Sequence, residues 1–168
     1  LKELLVDDAE ALATLKTYIG YSTTSMILGW ATGGIIFGMM SDRIGRVKTM
    51  VFTLLVYSGF TGISGTAQTW VDFTFYRFLA GIGIGGMFGA ATTLVAESVP
   101  GHFRALALGS LQALSATGNI MGSIVSLYIQ PGAVNFIGEY SGWRVLFFVG
   151  LLPALLIVPT VFLLKEPQ

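Results

Sequence analysis

Cysteine is absent, histidine occurs once, and charge is scarce, with Asp, Glu, Lys and Arg together making up 11% of the residues. Without cysteine there is no disulfide frame, no thiolate zinc site and no cysteine nucleophile in this stretch. The one histidine, His102, lies beside Pro100 and reads as a solvated loop residue. No acid pair sits at a spacing suited to hydrolysis or metal binding, so the chain reads as a non-enzyme without metal or other cofactor. Nine basic and nine acidic residues balance, which removes any bulk attraction to nucleic acid. No short basic segment precedes an apolar stretch at the start, so no signal peptide is expected. The first residue is Leu rather than Met, and the chain reads as a piece of something longer.

What is present is apolar. Hydrophobic residues make up 54% of the chain, and mean hydropathy is strongly positive. Soluble domains carry about a quarter charged residues, so this composition belongs in lipid. A helix needs roughly 20 mostly apolar residues to cross the hydrocarbon layer. Five such runs can be placed, at 18–40, 49–67, 73–96, 105–129 and 145–164. They show no alternation of period two, and they are too long for spanning strands. The connections are short, so neighbouring helices pack antiparallel with only their ends reaching water. The expected fold is an all-α integral membrane protein, an antiparallel transmembrane helix bundle over 18–168. Residues 1–17, with four acids among them, read as an external polar helix or loop.

Lys and Arg set the orientation. Arg43, Arg46 and Lys48 follow the first run and Arg104 follows the third, which places those two connections in the cytoplasm. The first run then travels inward, and a span before it is expected.

Gly81, Gly83 and Gly86 fit the G-x-G-x-x-G pattern of dinucleotide folds, which carries meaning only after a strand and at the opening of a helix. Here the glycines lie in mid-span. Taken at spacing four, Gly81, Gly85 and Gly89 share one face and admit a neighbouring helix closely. Gly29 with Gly33, Gly34 with Gly38, and Gly118 with Gly122 repeat the device.

Arg77 is the one cation placed within a span. Exposing it to lipid costs at least about 2.5 kcal/mol, so it should face the interior or an aqueous cavity. It shares a face with Gly81, Gly85 and Thr92; the alternative is snorkelling to the outer surface. In the fourth run Gln112, Ser115, Asn119, Ser123 and Ser126 fall on one face. Such a stripe either bonds a neighbouring helix or lines a wet path, and the Gln and Asn point to a cavity wall. Tyr21, Ser25 and Thr32 line the same cavity or merely pack.

Three stretches in order carry a family resemblance. In "GMMSDRIGRVK", Gly38, Asp42, Arg43, Gly45 and Arg46 match the signature G-x-L-A-D-R-x-G-R-R/K between spans two and three of the major facilitator superfamily of secondary transporters. Arg77, Gly81, Gly83 and Gly85 in "RFLAGIGIGG" match its fourth-span motif, and Glu97, Pro100 and Arg104 its signature after span four. "GWRVLFFVGLLPALL" followed by "KEP" is similar to the sixth span of the branch that carries organic acids and other metabolites with protons.

The resemblance implies spans two to six of twelve, most of an amino-terminal half whose partner is the missing carboxy-terminal half. It implies alternating access for a small organic solute, an organic acid or sugar-like metabolite, with a proton as co-substrate. The location implied is a plasma (inner) membrane, multi-pass in the lipid bilayer. Arg77, Gln112, Ser115, Asn119 and Ser25 would line the cavity. Gly38, Asp42, Arg43, Gly45, Arg46, Glu97 and Arg104 would form a charge cluster that latches the halves. Met40 and Ser41 stand where the signature has Leu and Ala, and Val47 where it has a second base, supplied one place later by Lys48. Met87 and Phe88 replace an expected Glu and Trp, and none of the five runs keeps an acid near its middle, so proton coupling is unsupported within them and would have to rest on the missing first span or the other half. The rival is a membrane sensor or scaffold that keeps the fold without cycling.

Overall fold

The computed structural model describes residues 9–129, 142–151 and 155. Helix α1 covers Ala9–Ile44, α2 Arg46–Ser64, α3 Trp70–Ser98, α4 Arg104–Ile129 and α5 Gly142–Val149, and no strand occurs among the described residues. A 3₁₀ turn, Gly101–Phe103, precedes α4. Three stretches, Ala13–Ile44, Arg46–Ser64 and Trp70–Ser98, are long and apolar enough to cross a membrane. With 26 residues α4 is also long enough, but Gln112, Asn119 and its serines dilute its apolar character. Most of the expected fifth span, 145–164, lies outside the described residues.

Local chemistry explains the boundaries. The first helix runs unbroken through the polar segment, so the part of 1–17 that is described is helical. Its 36 residues rise about 54 Å, well beyond a hydrocarbon layer of roughly 30 Å. Between Ile44 and Arg46 the chain reverses on Gly45 alone, at φ 113° and ψ 152°. A Cβ is strained there, which is why glycine stands at this joint. At the start of α3 the Thr69 hydroxyl accepts from the Asp72 N–H at 3.1 Å and donates to its Oδ2 at 2.7 Å, capping the helix.

The third helix is central, packed against α1 on one side and α2 on the other. Its glycines divide between the two. A Cβ on Gly81 or Gly85 would overlap the carbonyl oxygens of Met26 and Trp30, and Cβ atoms on Gly29 and Gly33 of α1 would overlap those of Phe78 and Ile82. The increasing numbers on both sides show that α1 and α3 run parallel. Gly83 faces the backbone of Thr53 and Tyr57, and Gly86 faces Phe37 and the Thr53 methyl. The G-x-G-x-x-G pattern is thus a packing surface, with Gly81 against α1, Gly83 against α2 and Gly86 meeting both. At Gly89 a Cβ would rest 4.0 Å from the Gly34 oxygen, an ordinary contact. Gly38, Gly118 and Gly122 meet nothing within 4 Å.

The core mixes hydroxyl-bearing side chains with a few apolar ones, Phe37, Val47, Leu54, Ala80, Ala90 and Leu94. Thr49, Thr53, Ser58, Thr61 and Ser64 of α2 are buried, as is Ser41 of α1, whereas Ile19, Leu28, Ile35, Met39, Phe52, Leu55 and Phe75 are exposed. Apolar surface gains nothing by turning from lipid to protein, so close approach of small residues selects the interior. Within α2, Thr53 donates to the Thr49 carbonyl at 2.9 Å, Thr49 to Gly45 at 2.8 Å and Ser64 to Phe60 at 2.7 Å. The buried hydroxyls of Ser58 and Thr61 have no protein partner among the described residues.

Candidate functional site

Two groups of the expected functional residues can be traced. The first lies where α1 ends, α2 begins and α3 ends. Arg46, the first residue of α2, donates from Nε to Glu97 Oε2 at 3.0 Å and from Nη2 to Oε1 at 2.7 Å. Its Nη1 meets Asp42 of α1, one turn back, and approaches the Ser41 hydroxyl at 3.4 Å. One half-buried guanidinium therefore pins three helix ends, with the planar fork matched to a carboxylate on one side.

Of the charge cluster expected from the sequence, the structure unites Asp42, Gly45, Arg46 and Glu97. Arg43 is exposed and forms no ion pair among the described residues; Arg104 adds positive potential near Glu97 without pairing with it. Gly38 makes no close contact. Ser41, a departure from the signature, joins the cluster through its hydroxyl. The missing second base also finds a physical reason. Val47 is 8% exposed and belongs to the packed face of α2, whereas Lys48, one position on, is exposed.

The second group centres on Arg77, two turns into α3. Its Nη1 lies 3.7 Å from the Met26 sulfur, and its Cζ stands 5.3 Å from the Phe73 ring centroid and 4.3 Å from that of Phe147. The two rings meet edge to face at 5.5 Å. The guanidinium is thus turned among α1, α3 and α5, with no carboxylate partner among the described residues. The other cavity candidates do not converge on it through any hydrogen bond. Ser25 donates to the Thr74 carbonyl at 3.2 Å, while Ser22 and Thr74 share a bond at 2.9 Å, so this end of α1 is fastened to α3. Gln112, Ser115 and Asn119 stand exposed along α4.

Phe73, Phe147 and Arg144 were not singled out by sequence reasoning. Phe73 lies four residues before Arg77 on the same helix, a spacing that signals a shared face. Phe147 and Arg144 depend on how α5 docks, which no local pattern carries. No group of His, Cys, Asp and Glu among the described residues could hold a metal ion.

A family model described as "Sugar (and other) transporter" matches residues 3–167. The chain belongs to this family, within the major facilitator superfamily. This family member is 34% identical over 177 residues to the cis,cis-muconate transport protein of Acinetobacter baylyi, an alignment covering 98% of this chain and 41% of the relative. It is 30% identical over 149 residues to the niacin transporter NiaP of the same bacterium, covering 89% of this chain and 32% of that protein. Among solved structures it resembles the proton:xylose symporter XylE bound to 6-bromo-6-deoxy-D-glucose. The TM-score is 0.82 at 22% identity, over 99% of this chain and 39% of XylE. The chain therefore spans about two fifths of the length of the muconate transport protein and of XylE. As a member of the superfamily with membrane-length helices, it is an integral membrane protein.

Proposed function

We propose that this chain supplies the second to the sixth of twelve spans of a transporter that moves a small carboxylate-bearing metabolite with a proton. Its site is the plasma (inner) membrane, and its cycle is alternating access, in which two halves rock about a central cavity. Two of the relatives support this class of solute, since muconate and niacin both carry carboxylates. The excess of Arg43, Arg46, Lys48 and Arg104 assigns the α1–α2 joint to the cytoplasmic side. There Arg46 holds Asp42 and Glu97 in one state and releases them in the other, which makes a two-state latch. The exposed stripe of Gln112, Ser115 and Asn119 supplies a polar wall to be covered by the other half.

The observation that carries the solute class is Arg77. Its guanidinium is held by two rings and by a bond from Nη1 to the Met26 thioether, none of which neutralises it, and its remaining N–H donors are left for an anion. A charge-assisted bond to a carboxylate contributes about 1.5–3 kcal/mol, so Arg77→Gln in the full-length transporter should lower uptake of muconate or niacin roughly tenfold or more. Unchanged acid uptake overturns the assignment. Proteoliposomes loaded with and without an inward proton gradient test the coupling, and equal accumulation in both removes the proton from the scheme.

A further inference from the structure

We propose that Arg144 and Phe147 are positioning residues that set the Arg77 guanidinium for its anion, an inference that rests on the solute reading above. The geometry forms one continuous chain. The carbonyls that end α2 accept from the turn that follows, Gly62, Ile63 and Ser64 from the N–H groups of Gly65, Thr66 and Ala67, and beyond them the carbonyls of Gly65 and Ala67 are turned toward α5. Arg144, in the first turn of α5, binds both of these turn carbonyls, donating from Nη1 to the Gly65 oxygen at 2.8 Å and from Nη2 to the Ala67 oxygen at 3.3 Å. Gly65 also provides the space: a Cβ there would sit 3.1 Å from the Phe147 Cβ and 3.2 Å from the Arg144 oxygen. The clamp thus brings α5 against the end of α2.

Phe147 follows Arg144 by three residues, so both project from one side of the short helix. With α5 clamped, the Phe147 ring comes within 4.3 Å of Arg77 Cζ and 5.5 Å of the Phe73 ring. A ring face attracts the cation without taking any of its N–H donors. It therefore fixes where the guanidinium sits and leaves its hydrogen-bonding capacity intact. Removing either the ring or the clamp lets Arg77 move, and the cost falls on solute affinity.

The test uses the full-length transporter in proteoliposomes with radiolabelled niacin, measuring KM and Vmax at matched reconstituted protein. Phe147→Leu should raise KM roughly threefold to tenfold with Vmax little changed, and Phe147→Tyr, which keeps the ring, should restore it. Arg144→Gln should raise KM similarly, while Arg144→Lys, a point charge without the fork, should restore it only in part. In an Arg77→Gln background Phe147→Leu should add nothing further. The inference is overturned if Phe147→Leu lowers only the amount of folded protein or Vmax, or if its KM effect persists without Arg77. Should Arg77→Gln alone leave KM for niacin unchanged, the solute reading itself fails; should it raise KM while the Phe147 and Arg144 variants do not, only the positioning inference fails.

Discussion

Arg46 engages both carboxylate oxygens of Glu97, at 3.0 and 2.7 Å, while the same guanidinium holds Asp42 on the other side. Because these residues belong to α2, α3 and α1, one side chain decides whether three helix ends move together. If the cluster is a latch, Glu97→Gln should open this end more often. Ser41 is 3% exposed beside the cluster, so Ser41→Cys, in a full-length transporter cleared of any cysteine outside this stretch, makes a reporter. Its labelling by an impermeant thiol reagent applied from the cytoplasmic side should be roughly fivefold faster in the Glu97→Gln background. Equal labelling rates would remove the latch. Exchanging the pair, Arg46→Glu with Glu97→Arg, should not restore slow labelling, because the new carboxylate would then face Asp42.

The small-residue interface makes a second prediction, with an internal control one helical turn away. At Gly85 a Cβ would overlap the Trp30 carbonyl oxygen, a backbone atom that cannot step aside. At Gly89 it would rest 4.0 Å from the Gly34 oxygen. Gly85→Ala should therefore destabilise by about 1–3 kcal/mol, the usual range for overpacking. Gly89→Ala should be neutral or slightly stabilising, since Ala favours helix over Gly. Thermal unfolding of the purified transporter in detergent checks both. Equal losses at the two positions would mean that α1 and α3 are not held as tightly as the backbone contacts require.

How much of this was legible in the sequence depends on whether a feature is local. Apolar runs announced α1, α2, α3 and α4, because a membrane span must be long and apolar to exist at all. The pairing of Arg46 with Asp42 and Glu97 was accessible only through the resemblance, since 51 residues separate Arg46 from Glu97. Gly81 and Gly85 could be found at spacing four, but Gly83 and Gly86 could not be assigned a face. Helix α3 is apolar all round, and nothing in it distinguishes the side toward α2. The buried hydroxyls of α2 escaped for a related reason. Ser and Thr satisfied by their own helix, as Thr49, Thr53 and Ser64 are, look the same in sequence whether they face lipid or protein, and Ser58 and Thr61 carry no local signal of burial either. Arg144 was read only as part of the sixth-span resemblance, because the partners it finds at Gly65 and Ala67 are backbone carbonyls of the turn after α2, which carry no side-chain signature.

The joint at Gly45 is where local conformation and the candidate latch meet, and it supports the third prediction. Its φ of 113° and ψ of 152° lie in a region open essentially to glycine, so Gly45→Ala should cost about 1–3 kcal/mol. The consequence is specific, because Gly45 sits directly before Arg46, and its carbonyl accepts from the Thr49 backbone at 3.2 Å and from the Thr49 hydroxyl at 2.8 Å. Relaxing φ to a negative value would swing the start of α2 and carry the Arg46 guanidinium away from Glu97. Asn commonly rescues left-handed helical positions, but those need ψ near +50°, far from the value here. Gly45→Asn should therefore be no better than Gly45→Ala in thermal unfolding, and both should speed Ser41→Cys labelling as Glu97→Gln does. If Asn restored stability and slow labelling, the joint would be an ordinary left-handed turn rather than one that requires glycine.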